Sequence, residues 1–168
     1  MNAPTPDPHG QSSYQVRFDW GRAGAAVIAR EVEAIVWVDE LGAGPVPEFE
    51  PGPAVAVASL ASAESLGAWA LARQEALGGR FRIAVVAAGA TRADGSPRFA
   101  VEDLFAAGAV IDALAEVGID HNSPEAAAAA AAYTGLRRAM RHLVSASVSA
   151  REGQHPTLAE SAVVVLRE

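Results

Sequence analysis

The sequence predicts an α/β fold, and three observations carry that reading. Three short apolar runs have strand length: Ala34–Val38, Ala54–Ser59 and Ile83–Ala88. Two of them lead into stretches whose apolar residues recur at helical spacing, Ala61–Leu77 and the segment starting near Val101. Between Ile83–Ala88 and that second helix lies a loop, Gly89–Arg98, punctuated by Asp94-Gly95 and Ser96-Pro97. A buried strand, a loop and a helix with acidic residues in its first turn make the plan of an α/β crossover. In open α/β sheets ligands collect at the carboxyl ends of the strands, so this loop is the first place to look for chemistry.

Met1–Ser13 holds three prolines and no apolar periodicity, which reads as a disordered tail. Residues 14–168 read as one domain, a length that can bury a core without disulfides. Tyr14–Trp20 alternates as a short strand and Gly21–Arg30 is a brief helix with Ala25, Ile28 and Ala29 on its apolar side. Ala34–Val38 is a continuous apolar run closed by Asp39-Glu40, a central strand with a carboxylate at its end. Four prolines in Gly42–Pro53 forbid regular helix, and the segment reads as a linker. Gly78-Gly79 stops the helix that begins near Ala61. Ser123 suits an N-cap, Pro124 the first helical position and Glu125 the helix dipole. An alanine run continues that helix as far as a break expected near Gly135, and Leu136–Val144 makes another. Ser145–Gln154 reads as a loop or short helix, and Ala162–Leu166 as a last strand. Trp37 and Trp69 read as core.

Composition excludes more than it asserts. There is no cysteine, so disulfides, thiolate catalysis and Cys-based zinc sites are ruled out. The net charge of −7 and the lack of a basic stripe argue against nucleic acid and anionic membranes, though not against a small anion held by local arginines. The first residues lack the basic-then-apolar layout of a signal peptide and no apolar run has transmembrane length, so a cytoplasmic protein is expected. GxxxxGK[ST], GxGxxG and GxSxG are all absent, and the four histidines are scattered.

Acidic side chains remain as the chemistry. Asp39 ends one predicted strand, and Glu102-Asp103 opens the helix after another. If those strands are neighbours the carboxylates converge, and converging carboxylates with water suit Mg²⁺. First-turn acids also arise simply because they complement the helix dipole. Arg151, beside Ser149, offers paired donors for a phosphate or sulfonate, or is a solvated surface arginine.

A resemblance sharpens this. AVVAAGATRADGSPRFAVEDLFAAGAVIDALAEVGI followed by SPEAAAAAAAYTG resembles the 2-phosphosulfolactate phosphatase family, more narrowly its actinobacterial members. VRFDWG, AIVWVDEL and SAREG are similar to further pieces of the same family, in the same order. The resemblance implies a three-layer α/β/α fold with a small, mostly parallel or mixed sheet, and Mg²⁺-dependent hydrolysis of a small anionic phosphorylated substrate, 2-phosphosulfolactate, to sulfolactate and phosphate. It implies that Asp39 and Glu102 are catalytic, that Asp39 with Glu102 or Asp103 holds Mg²⁺, and that Arg151, Ser149 and Gly89 bind substrate.

The chain also departs from the family's pattern. Asp39 and Leu41 match its first motif, but the threonines that come next are gone, an asparagine has become Ser62, and a Gly-Glu pair is Gly89-Ala90. These losses carry an alternative: a catalytically depleted relative that binds an anion or a partner. A shortened sheet would leave apolar surface uncovered, so a homodimer is expected.

Overall fold

In a computed structural model, residues 7–42, 45–154 and 163–168 are described. The chain forms a five-stranded sheet flanked by helices, a three-layer α/β/α arrangement. The strands are β1 (Val16–Trp20), β2 (Ala34–Val38), β3 (Ala54–Ala58) and β4 (Ile83–Ala87), all parallel, with an antiparallel edge strand, Val164–Arg167. Their spatial order is β1, β4, β2, β3 and then that edge strand. A two-stranded ribbon, β5 (Ala90–Thr91) with β6 (Pro97–Arg98), forms within the loop after β4, and the edge strand is therefore β7.

Every residue of β2, β3 and β4 is buried, which explains why these strands are continuous apolar runs rather than alternating ones. Alternate residues face opposite layers. Ala34, Val36 and Val38 join a core with α2 (Ala63–Leu77), α3 (Val101–Glu116) and α4 (Pro124–Leu136). Ile35 and Trp37 join a smaller core with α1 (Gly21–Ile28).

The smaller core is completed by an unexpected element. The proline-rich segment read as a linker has neither helix nor strand among its described residues, yet Val46 and Phe49 pack against the sheet, with the Phe49 ring 6.0 Å from that of Trp37. Arg167 of β7 fixes the segment by donating to the carbonyls of Phe49, Glu50 and Pro53 at 2.9–3.1 Å. Trp37 is buried as expected, and half-buried Trp69 lies edge-on to Phe81 at 5.8 Å.

Close helix packing rests on small residues. A Cβ on Gly108 would lie 2.3 Å from the carbonyl oxygen of Ala129, so glycine there lets α3 and α4 approach backbone to backbone. Ser123 caps α4 by accepting the N–H of Ala126 at 3.1 Å. Gly135 does not break the helix: α4 runs to Leu136, a 3₁₀ turn spans Arg137–Ala139, and α5 (Met140–Ser145) and α6 (Val148–Arg151) come after it.

The tail is another correction. Residues 1–6 lie outside the described residues, but Pro8–Gly10 forms a 3₁₀ turn capped by Asp7. Gln11 is buried, donating to the carbonyl of Phe18 at 2.9 Å and accepting its N–H at 3.0 Å. The final strand is Val164–Arg167; Ala162, where the sequence places its start, lies outside the described residues. Among the described residues no helix is long and apolar enough to cross a membrane.

Candidate functional site

The in-register parallel strands end together. Trp20 pairs with Ala87, Ala87 with Val38, and Val38 with Ala58, so the loops leaving these strands emerge at one sheet edge. Asp39 and Glu40 come after β2, Gly89 after β4, and Leu60 after β3. The first turn of α3 brings Glu102 and Asp103 to the same edge.

There a cleft of about 350 Å³ is lined by Asp39, Gly89, Glu102, Asp103 and Ser149, together with Trp37, Thr91 and Glu152. Five of the six residues singled out in the sequence therefore meet. Arg151 does not join them: it is exposed at the end of α6 and is not among the lining residues. Its place near the serine is taken by Arg98 of β6, whose Nη2 donates to Ser149 Oγ at 2.9 Å.

The carboxylates divide into two kinds. Asp103 is buried and fully engaged, one oxygen accepting the N–H of Glu40 and the other the N–H of Gly89, each at 2.9 Å. It ties α3 to the ends of β2 and β4. Glu40, which the sequence marks only as part of the acidic stop after β2, ties β2 to β3 by accepting the N–H of Leu60 at 2.8 Å. Burial pushes Asp103 up to about 8 and Glu40 up to about 7; the backbone donors oppose this, and the nearby Asp39 and Glu102 reinforce it. Glu102 differs, because its Oε2 is buried with no hydrogen-bond partner among the described residues. A buried carboxylate oxygen without a donor costs free energy unless something fills the role.

That oxygen is the test of fit for a cation. Among the described residues no three His, Asp or Glu side chains are gathered as a ready metal cage. Mg²⁺ does not need one, since it commonly takes one or two carboxylates and completes its shell with water and phosphate oxygens. Asp39 and Glu102 supply hard donors of that kind in one cleft, and Glu102 Oε2 awaits a partner. Asp103, with both oxygens bonded to backbone, is committed to holding the loops.

Gly89 has a task of its own. Its φ of +70° lies in the left-handed region that favours glycine, and a Cβ there would sit 3.4 Å from both the Arg98 carbonyl and the Trp20 ring. Its N–H is spent on Asp103, so Gly89 shapes the cleft rather than presenting a free donor to substrate. Set against known proteins, the chain matches no family model, and no curated protein matches it.

Proposed function

We propose that the chain is a phosphoric-monoester hydrolase acting with Mg²⁺, of the kind its resemblance to 2-phosphosulfolactate phosphatases implies. The observation that carries this is the meeting of Asp39 and Glu102 in one cleft with Ser149, whose Oγ accepts from Arg98 at the cleft's margin, at the carboxyl ends of β2 and β4. Asp39 and Glu102 would hold the cation, and Glu102 Oε2 would gain the partner it lacks. The cation, when bound, would polarise the phosphoryl oxygens and make water a stronger nucleophile. Arg98 offers a permanent positive charge and planar donors to the phosphoryl oxygens, held in place by Ser149. In the reaction a water oxygen bonds to phosphorus while the ester P–O bond breaks. The water's proton passes to the acidic wall of the cleft, and the leaving oxygen takes up a proton from solvent. Such catalysis is mostly positioning and charge stabilisation.

Phosphate release from 2-phosphosulfolactate and from simpler monoesters, with Mg²⁺ and with chelator, tests this reading. Release should need Mg²⁺ and fall about 100-fold or more in Arg98→Ala and Glu102→Gln. Release that chelator leaves intact, or none from any ester, rejects it.

One observation favours the second reading, a catalytically depleted binding module: both oxygens of Asp103 are consumed by backbone donors. In that case Mg²⁺ with inorganic phosphate raises the melting temperature without turnover.

A further inference from the structure

Beside the acidic cleft lies a neighbour of about 400 Å³, and residues 88–91 line both. Trp20, Phe99, Arg22 and Arg98 line this second cleft. The Trp20 and Phe99 rings lie 5.2 Å apart, and Phe18 backs Trp20 edge-on at 5.6 Å. Phe99 leaves 56% of its surface exposed, so its ring is an open wall rather than core. Arg98 lines the aromatic cleft, and its guanidinium donates to Ser149, a residue of the acidic one.

We propose that the aromatic cleft receives the organic half of the substrate, and that this half is a planar aromatic ring, making the substrate an aryl phosphate monoester. This rests on the phosphoryl reading of the acidic cleft. Residues 88–91 line both clefts, so an ester whose phosphoryl group sits beside Ser149 and Arg98 would reach Trp20 and Phe99 by extending past them. Those rings offer flat apolar faces suited to offset or tilted stacking. Arg22 and Arg98 can stack on an aromatic plane or pair with an acidic substituent on it.

The alternative neighbour is less suited. Another cleft, of about 560 Å³, has aliphatic walls, Leu41, Leu60, Met140 and Val144, and among the described residues shares Gln154 alone with the acidic cleft. Glu40 lines it, with its carboxylate tied to the N–H of Leu60.

Binding of three hydrolysis-inert probes to the full chain with Mg²⁺, measured by calorimetry, tests the proposal: inorganic phosphate, methylphosphonate and phenylphosphonate. Phenylphosphonate should bind about tenfold or more tightly than methylphosphonate, a margin of the size that ring stacking and burial supply. Phe99→Ala should erase that margin and leave the phosphate affinity unchanged. Because Phe99 is exposed, the substitution leaves the core intact, and an unchanged melting temperature verifies this. Equal affinities for the two phosphonates overturn the aromatic assignment. If phosphate still binds in that case, the phosphoryl reading stands; if nothing binds, both fall. Sedimentation of Phe99→Asp covers the remaining occupant. If the wild type is a dimer that this substitution dissociates, while phenylphosphonate affinity is unchanged, the wall belongs to a second copy and the assignment is rejected.

Discussion

One carboxylate oxygen of Asp103 accepts the backbone N–H of Gly89 at 2.9 Å, and the other does the same for Glu40. A single side chain thus pins the loops after β4 and β2 to the start of α3. Asp103→Ala leaves two N–H groups in or near the interior without an acceptor. The expected cost is about 3 kcal/mol, read as a fall of roughly 9 °C in melting temperature. A change under about 1 °C would mean that water replaces the carboxylate without penalty.

Stability should fall as the pH rises. Burial holds Asp103 at about 8 and Glu40 at about 7, whereas an unfolded carboxyl titrates near pH 4, at about 4. Between those values the folded chain keeps protons that the unfolded chain has released, so each step up in pH favours unfolding. In metal-free buffer the melting temperature should be about 10 °C or more lower at about pH 8.5 than at about pH 5.5. Asp103→Asn should flatten that slope, and Mg²⁺ should restore part of the loss at the alkaline end. Glu33 has the opposite sign. Burial works against its charge, but hydrogen bonds from Arg82 prevail and hold it below the usual carboxylate range. Its contribution is lost only at acid pH, as that lowered value is approached. A melting temperature that climbs from pH 5.5 to 8.5, roughly the window above, would contradict the assignment.

Arg17 is buried and donates only to carbonyls, chiefly those of Ile28 at 2.9 Å and Arg30 at 2.7 Å, where α1 ends. Burial lowers its pKa, with Arg82 adding to the effect. Arg17→Met keeps the bulk but strands those carbonyls, and urea unfolding should show a loss of about 3 kcal/mol. Arg17→Lys should recover part of it, since an ammonium reaches fewer acceptors.

Gly108 tests the α3–α4 contact. An added methyl would collide with backbone at Ala129 and with Cβ of Tyr133, neither of which is the yielding end of a long side chain. Gly108→Ala should therefore cost about 2 kcal/mol despite alanine's better helix propensity. A stabilised variant would show that the two helices part easily.

β2 and β4 are legible in the sequence because unbroken apolar runs stop abruptly, at Asp39 and around Gly89. The α4 start is legible because Ser123-Pro124-Glu125 combines three local signals that tertiary context does not override. Convergence of Asp39 with Glu102 and Asp103 depends on β2 and β4 being neighbours, which no local pattern reveals. Arg151 misleads because nearness in sequence is not nearness on a helix. Ser147 caps α6, so Ser149 and Arg151 stand two residues apart on it, and such positions do not face each other. Arg98 is hidden by the reverse problem: it sits in a turn-rich loop and meets Ser149 from 51 residues away. Gln11 and the segment around Phe49 escape because their order comes from long-range contacts and backbone partners, with no periodicity to announce them.

Arg167 gives the fold a clasp. By gripping Phe49, Glu50 and Pro53 from β7, it makes the edge strand and the proline-rich cover a single detachable piece. Peeling either one away wets the Trp37 indole, so fraying at this margin is coupled to the hydration of the sheet's interior face.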